Sequence, residues 1–304
     1  MRVAFDSRPA RDPRGIGRYV RSLLPALRAA GPQHEVVETE RPRDVDLFHA
    51  PWIDGALLRS PVPQVVTLHD VIPLRRRSEY LRTGLRFRLR YLAVQRATMV
   101  IVPTNTVAED AIAHLGLDPD RVRVVGEAAA PAFMPRPAAE VDAARAKHGV
   151  PSDYLLWVGG LQHPEPRKRV AALAAAPRTL PLVLAGPASR WARELADVIV
   201  TGHVSDDDLA ALYTGARALV FASDDEGFGL PPVEALACGT PVAACDVPAL
   251  REVLGDRAAF VDRDDLAGLI AAGERAQRPA PAPPPYTWEQ AAEATWAVYA
   301  AARR

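Results

Sequence analysis

The chain has 304 residues, 49% of them hydrophobic, which supports two cores of roughly 150 residues each rather than one. Its 37 basic and 37 acidic side chains cancel, excluding a chain held to nucleic acid by bulk charge. The two cysteines, Cys238 and Cys245, lack zinc-ligand spacing and read as small buried hydrophobes in a reducing compartment.

From the N-terminus, Met1-Arg2-Val3-Ala4-Phe5-Asp6 carries an early charge and no long apolar export segment, so a cytoplasmic location is expected. Apolar runs such as 155–161 fall far short of the roughly 20 residues a membrane span needs. Strand Val3–Phe5 is followed by Arg14-Gly15-Ile16-Gly17-Arg18-Tyr19, which opens an amphipathic helix over Ile16–Ala29. Gly15 and Gly17 would let backbone amides meet phosphates, but Val20 stands at the third glycine position of a dinucleotide fingerprint, which disfavours a dehydrogenase. Strands Leu47–His49 and Val65–Leu68 come next, the second ending in His69-Asp70-Val71-Ile72-Pro73. Tyr80–Arg96 reads as a helix with a stripe of Leu81, Leu85, Leu89 and Leu92. Arginines 75, 76, 77, 82, 86, 88, 90 and 96 crowd around it.

Strands Met99–Val102 and Val122–Val125 lead into a proline-rich passage at Pro131, Pro135 and Pro137, and the first domain is expected to end near residue 140. The pattern restarts in a second domain over 141–285, with strands Tyr154–Val158, Leu182–Ala185, Val198–Val200, Ala218–Phe221 and Val242–Ala244. Ser205 followed by Asp206, Asp207 and Asp208 reads as a capped helix start, not as a catalytic acid cluster. After the breakers Pro279–Pro285, residues 286–304 are expected to form a helix across both domains, with Trp288, Ala292, Trp296 and Tyr299 at helical spacing. Alternating strands and helices imply an α/β chain of two doubly wound parallel sheets. Such sheets bind ligands beyond the carboxyl ends of their strands, so two facing each other would hold a ligand in the cleft between them.

Just past Ala218–Phe221 the chain reads Ser223-Asp224-Asp225-Glu226-Gly227-Phe228-Gly229-Leu230-Pro231-Pro232-Val233-Glu234, then Gly239-Thr240-Pro241-Val242. The glycines permit close backbone approach, and prolines start a helix where a missing N–H costs least. Amides at that start suit an anion such as a diphosphate. Glu226 precedes the helix and Glu234 is expected in its first turn, so two carboxylates would flank those amides, one for a sugar ring and one for a ribose. Earlier in the same domain, strand Tyr154–Val158 runs through Gly159-Gly160-Leu161-Gln162-His163-Pro164-Glu165 to Pro166-Arg167-Lys168.

These residues resemble the E-x7-E signature of the retaining glycosyltransferases of family 4, which have the GT-B fold of two facing Rossmann-like domains. The resemblance implies that Glu226 contacts the donor sugar, that Glu234 binds the ribose, and that the amides of Gly227, Phe228, Gly229 and Leu230 hold sugar and phosphates. It implies that Arg167 and Lys168 neutralise the donor diphosphate, where fixed cations stabilise the charge growing on the leaving group without a metal. His69 is implied to touch a donor-sugar hydroxyl, the Gly15–Gly17 turn to line the cleft, and Gly202-His203-Val204 to meet the nucleobase through its backbone. The loop His163-Pro164-Glu165 is longer than the commoner pattern. Gly126-Glu127-Ala128-Ala129-Ala130-Pro131 stands where many relatives carry Asn-Gly-Val-Asp.

The resulting expectation is a retaining, metal-independent hexosyltransferase with no resident cofactor, using GDP-mannose or a UDP-sugar on a glycan, lipid-linked or small-molecule acceptor. Asp224-Asp225-Glu226 lacks the further oxygen ligands a metal would need. Two other readings stay open, a catalytically silent nucleotide-sugar binder on the same fold and a nicotinamide oxidoreductase, the latter lacking its glycine fingerprint. The segment Arg75–Arg96 suits either a solvated face around a packed stripe or peripheral contact with anionic lipid.

Overall fold

A computed structural model describes residues 1–13, 15–76 and 84–304, giving the backbone alone at 84–87. The chain forms two compact units, Met1–Glu127 joined by Tyr286–Arg304, and Ala128–Pro285.

In the first unit β1 (Arg2–Phe5), β2 (Glu35–Glu38), β3 (Leu47–Ala50), β4 (Gln64–Thr67), β5 (Met99–Val102) and β6 (Val122–Val124) build one sheet. Its order is β2-β1-β3-β4-β5-β6, and every pair is parallel. Strands β3, β4 and β5 are buried at every position. Burial on both faces is why they do not alternate apolar and polar residues, β5 being apolar throughout. Helix Gly15–Ala30 buries Tyr19, Val20, Leu23, Leu24 and Leu27, one face of a 3.6-residue period.

The C-terminal helix Trp288–Ala302 starts in a capping box, with Thr287 accepting from the Gln290 amide. Trp296 Nε1 donates to the Leu27 carbonyl at 2.9 Å, and the Tyr299 hydroxyl lies 2.6 Å from His49 Nδ1. The helix that closes the chain is therefore a structural member of the unit that opens it.

In the second unit β7 (Leu155–Val158), β8 (Leu182–Ala185), β9 (Val198–Gly202), β10 (Ala218–Phe221), β11 (Val242–Cys245) and β12 (Ala259–Val261) form a parallel sheet of order β12-β11-β10-β7-β8-β9. Helix Asp206–Gly215 begins as expected, Ser205 Oγ accepting from the Asp208 amide at 3.2 Å.

Several expectations need correction. The first crossing between units falls after Glu127 and not near residue 140. The proline-rich passage belongs to the second unit because Phe133 packs edge-on against Tyr213 at 5.9 Å and the Arg136 amide donates to Thr214 Oγ1 at 3.2 Å. Strands β2 and β12 had no expected counterpart. Of the segment Tyr80–Arg96, residues 77–83 lie outside the described residues, as does Arg14, and the side chains of Leu85 and Arg86 are likewise outside the description. Helix Gly84–Gln95 does form, and of the stripe's described side chains Leu89 is 42% exposed and Leu92 half-buried, while Tyr91 and Val94 are buried.

Candidate functional site

In the second sheet, β7 leads outward through β8 to β9, and its other neighbour β10 leads the opposite way through β11 to β12. The strand order reverses between β7 and β10, and loops leaving a parallel sheet at such a point diverge to open a crevice for ligands. The loop after β7 carries Glu165, Arg167 and Lys168, and the loop after β10 carries Glu226, so the topology joins segments nearly sixty positions apart. Arg167 Nη1 lies 2.7 Å from Glu226 Oε1 and donates to the Asp225 carbonyl at 3.0 Å. In return the Asp224 amide donates to the Arg167 carbonyl at 3.0 Å.

Glu165 sits between the two cations. Its Oε1 accepts from Arg167 Nε at 2.5 Å and its Oε2 lies 3.1 Å from Lys168 Nζ. Burial alone would raise the Glu165 pKa, but Arg167 and Lys168 outweigh it and hold the carboxyl below its ordinary value. Arg169, in the left-handed region at φ 49°, braces this loop. Its Nε donates to the Ala222 carbonyl and its Nη2 to Cys245 Sγ, each at 2.9 Å, and its side chain lies 3.9 Å from Asp224.

Arg167 is thus paired with Glu226 and linked through Glu165 to Lys168, each only partly open to solvent. Glu234 is not beside them at the surface. It is fully buried in the second turn of helix Leu230–Ala237, where the Tyr213 hydroxyl donates to its Oε2 at 3.2 Å. The expected first-turn position is corrected by the helix beginning at Leu230, four residues earlier. Phe228 and Leu230 bury their side chains in the unit's core. Gly229 has φ 91°, a conformation glycine adopts without the strain a side chain would bring. His203 is exposed and Val204 buried, just past β9.

In the first unit, His69 follows β4 and is held on both nitrogens. Nδ1 stands 3.0 Å from Glu127 Oε1, and Nε2 stands 3.0 Å from the Pro51 carbonyl, which follows β3. Tyr19 meets the imidazole edge-on at 4.7 Å, so helix Gly15–Ala30 contributes to the same neighbourhood. Burial opposes a charged ring, yet the Glu127 carboxylate, with the Pro51 carbonyl and Asp70, raises the His69 pKa above its ordinary value. A donor-sugar hydroxyl could reach Nε2 only by replacing the Pro51 carbonyl. Gly17 is required by packing, since a Cβ there would strike the carbonyls of Asp12 and Pro9, whereas Gly15 has open space.

The basic segment divides among its partners. Arg75 pairs with Asp110 at 2.6 Å and Arg90 with Asp54 at 2.7 Å. Among the described residues no helix is long and apolar enough to cross a membrane, and no three His, Cys, Asp or Glu side chains converge as metal ligands.

Glu165, Glu127, Arg169 and Tyr213 were not singled out for a site role from sequence. Glu165 alone had a signal, an acid three residues before Lys168, and the rest owe their partners to strand order.

A model of glycosyltransferase family 4 matches residues 41–128, and a model of glycosyl transferases group 1 matches residues 152–277. The serotype-specific mannosyltransferase WbdA of Escherichia coli is 29% identical over 242 residues, 71% of this chain but 29% of WbdA, so the match spans under a third of that relative. O-antigen chain mannosyltransferase B of Escherichia coli is 27% identical over 278 residues, covering 82% of this chain and 69% of that protein. Among solved structures, HepE of Anabaena in complex with UDP-glucose superposes with a TM-score of 0.69 at 17% identity, over 99% of this chain and 95% of that one. The structural likeness establishes the fold as GT-B.

Proposed function

The chain belongs to glycosyltransferase family 4, and from that premise we propose that it transfers a hexose from a nucleoside-diphosphate sugar to an acceptor hydroxyl, with retention at the anomeric carbon. The observation that carries this reading is the Arg167–Glu226 pair at 2.7 Å, which sets a carboxylate for sugar hydroxyls beside a cation for phosphate at the point where the strand order reverses. In the step itself, the bond from the anomeric carbon to the diphosphate oxygen breaks and its electron pair stays with the diphosphate. The acceptor oxygen bonds to the same face of that carbon and yields its proton to the departing phosphate oxygen.

Arg167 and Lys168 stabilise the charge that grows on the leaving group, the role a metal plays elsewhere, so the transfer runs without one. Glu226 orients the sugar. The mannosyltransferase relatives favour GDP-mannose as donor, while the complex held by HepE of Anabaena makes UDP-glucose the alternative. The acceptor is a glycan or lipid-linked glycan, the class that an O-antigen mannosyltransferase suggests.

A thermal-shift panel of GDP, UDP, GDP-mannose and UDP-glucose, followed by a transfer assay on glycan and lipid-linked acceptors, tests the reading. One donor should raise the melting temperature by mass action and release its nucleoside diphosphate when acceptor is added. Stabilisation by a donor without release on any acceptor would instead favour the silent binder.

A further inference from the structure

Glu165 lies at the end of the lengthened loop His163-Pro164-Glu165, with His163 and Pro164 exposed and Glu165 half-buried. Its two oxygens are shared one to each cation, Oε1 to Arg167 and Oε2 to Lys168. That is the arrangement in which two oxygens of a phosphate would bridge the same pair. The neighbouring charges leave no surplus, because Glu226 also pairs with Arg167, and Asp224 faces Arg169. Two cations already face two carboxylates. A diphosphate brought to Arg167 and Lys168 would meet the Glu165 carboxylate at contact distance, and like charges that close repel strongly in a partly desolvated site. Arg167 Nε carries a single N–H and cannot donate fully to both anions.

We propose that the Glu165 carboxylate competes with the donor diphosphate for Arg167 and Lys168 and is displaced when the donor binds. Glu165 then sets how tightly the nucleotide is held, and by returning it assists release of the nucleoside diphosphate after transfer. The carboxyl is kept ionised by the same two cations, so it clears the site by turning its side chain toward solvent and not by taking up a proton. This inference rests on the reading of Arg167 and Lys168 as the cations that bind the diphosphate.

Calorimetric titration of the full chain with GDP and with UDP, for the natural protein, Glu165→Gln, Glu165→Ala and Lys168→Ala, tests it. Glutamine keeps the shape and an acceptor oxygen while removing the charge. Glu165→Gln should bind whichever nucleotide the natural protein binds about tenfold more tightly, the fold-change of relieving one like-charge contact, and Glu165→Ala should agree in direction. Equal or weaker binding in both variants would overturn the inference and make Glu165 a support that positions the basic pair. Natural protein that binds neither nucleotide, or a Lys168→Ala variant that binds as well as the natural one, would remove the underlying reading instead. The two failures are therefore distinguishable.

Discussion

His69 Nδ1 lies 3.0 Å from Glu127 Oε1, a contact between the loop after β4 and the residue that ends the first passage through the first unit. The other ring nitrogen faces a peptide carbonyl, that of Pro51. A carboxylate and a carbonyl accept hydrogen bonds, so these two contacts favour the protonated ring and push the His69 pKa above its ordinary value. Its orientation is fixed by these two protein contacts.

The first prediction concerns that pair. The His69 pKa is raised in the folded state, so the charged ring contributes stability that is fully present below the ordinary imidazole value and is lost as pH rises through the raised one. Glu127→Gln should lower the His69 pKa, read from the imidazole NMR resonances over a pH titration. Glu127→Ala should cost about 1–3 kcal/mol in urea unfolding below pH 6, for the buried donor it leaves without a partner. An unchanged His69 titration in Glu127→Gln would show that the carboxylate does not hold the proton.

His49 behaves with the opposite sign. It is fully buried, its nitrogens lie 2.6 Å from the Tyr299 hydroxyl and 2.8 Å from Thr67 Oγ1, and burial, reinforced by the charge on His69, lowers its pKa to about 3. The folded protein therefore binds fewer protons than the unfolded chain between the two pKa values, and stability falls as pH drops from the ordinary value toward about 3. The acid limb should carry a slope of up to about 1.4 kcal/mol per pH unit from this residue. His49→Gln should flatten that limb in urea unfolding series at successive pH values.

Gly15 and Gly17 separate a binding role from a packing role. Gly17→Ala should destabilise the first unit by about 1–3 kcal/mol, because the added methyl meets the backbone carbonyls of Asp12 and Pro9, which have no side-chain freedom to yield. Gly15→Ala meets nothing and should leave the melting temperature unchanged or slightly higher. Should Gly15→Ala nevertheless weaken nucleotide binding in a thermal-shift panel, the helix start at Gly15 is a ligand contact.

Tyr213→Phe removes the hydroxyl that donates to buried Glu234. A loss of about 1 kcal/mol in chemical denaturation is expected for a buried side-chain hydrogen bond. A stability matching the natural protein would mean that the other partners of Glu234 carry the carboxylate by themselves.

Glu226→Ala should reduce transfer by at least about a hundredfold while leaving the circular dichroism spectrum and melting temperature near those of the natural protein, because Glu226 is only partly buried and not in the core. Normal turnover would refute its place beside the sugar.

The buried strands were legible because parallel sheets covered on both faces leave uninterrupted apolar runs, as at Met99–Val102 and Ala218–Phe221. The outermost strands β2 and β12 escaped for the same reason reversed. Glu35 and Glu38 are exposed, and Ala259–Val261 is at most half-buried, so neither segment needed an apolar signature. The Arg167, Lys168 and Glu226 cluster could be read from loop chemistry, but not the partners that Glu165 and Glu127 would find. Those depend on which strand lies beside which, and β10 pairs with β7 although two strands intervene along the chain. Where the basic helix is described, Tyr91 and Val94 are buried and Leu89 is exposed, a choice made by packing that spacing alone does not name.

The chain leaves the first unit at Glu127 and re-enters it at Tyr286, where a side chain on Gly126 would touch the Tyr286 ring. The domain begun first is thus the one completed last. During synthesis it must wait, with the seat of Trp296 and Tyr299 bare, until every residue of its neighbour has left the ribosome, and units that emerge unfinished are the ones exposed to aggregation. Folding of the second unit can be over before the first has received its closing helix, so a truncation that removes only the last fifteen or so residues should harm the N-terminal half of the molecule rather than the half it adjoins in sequence.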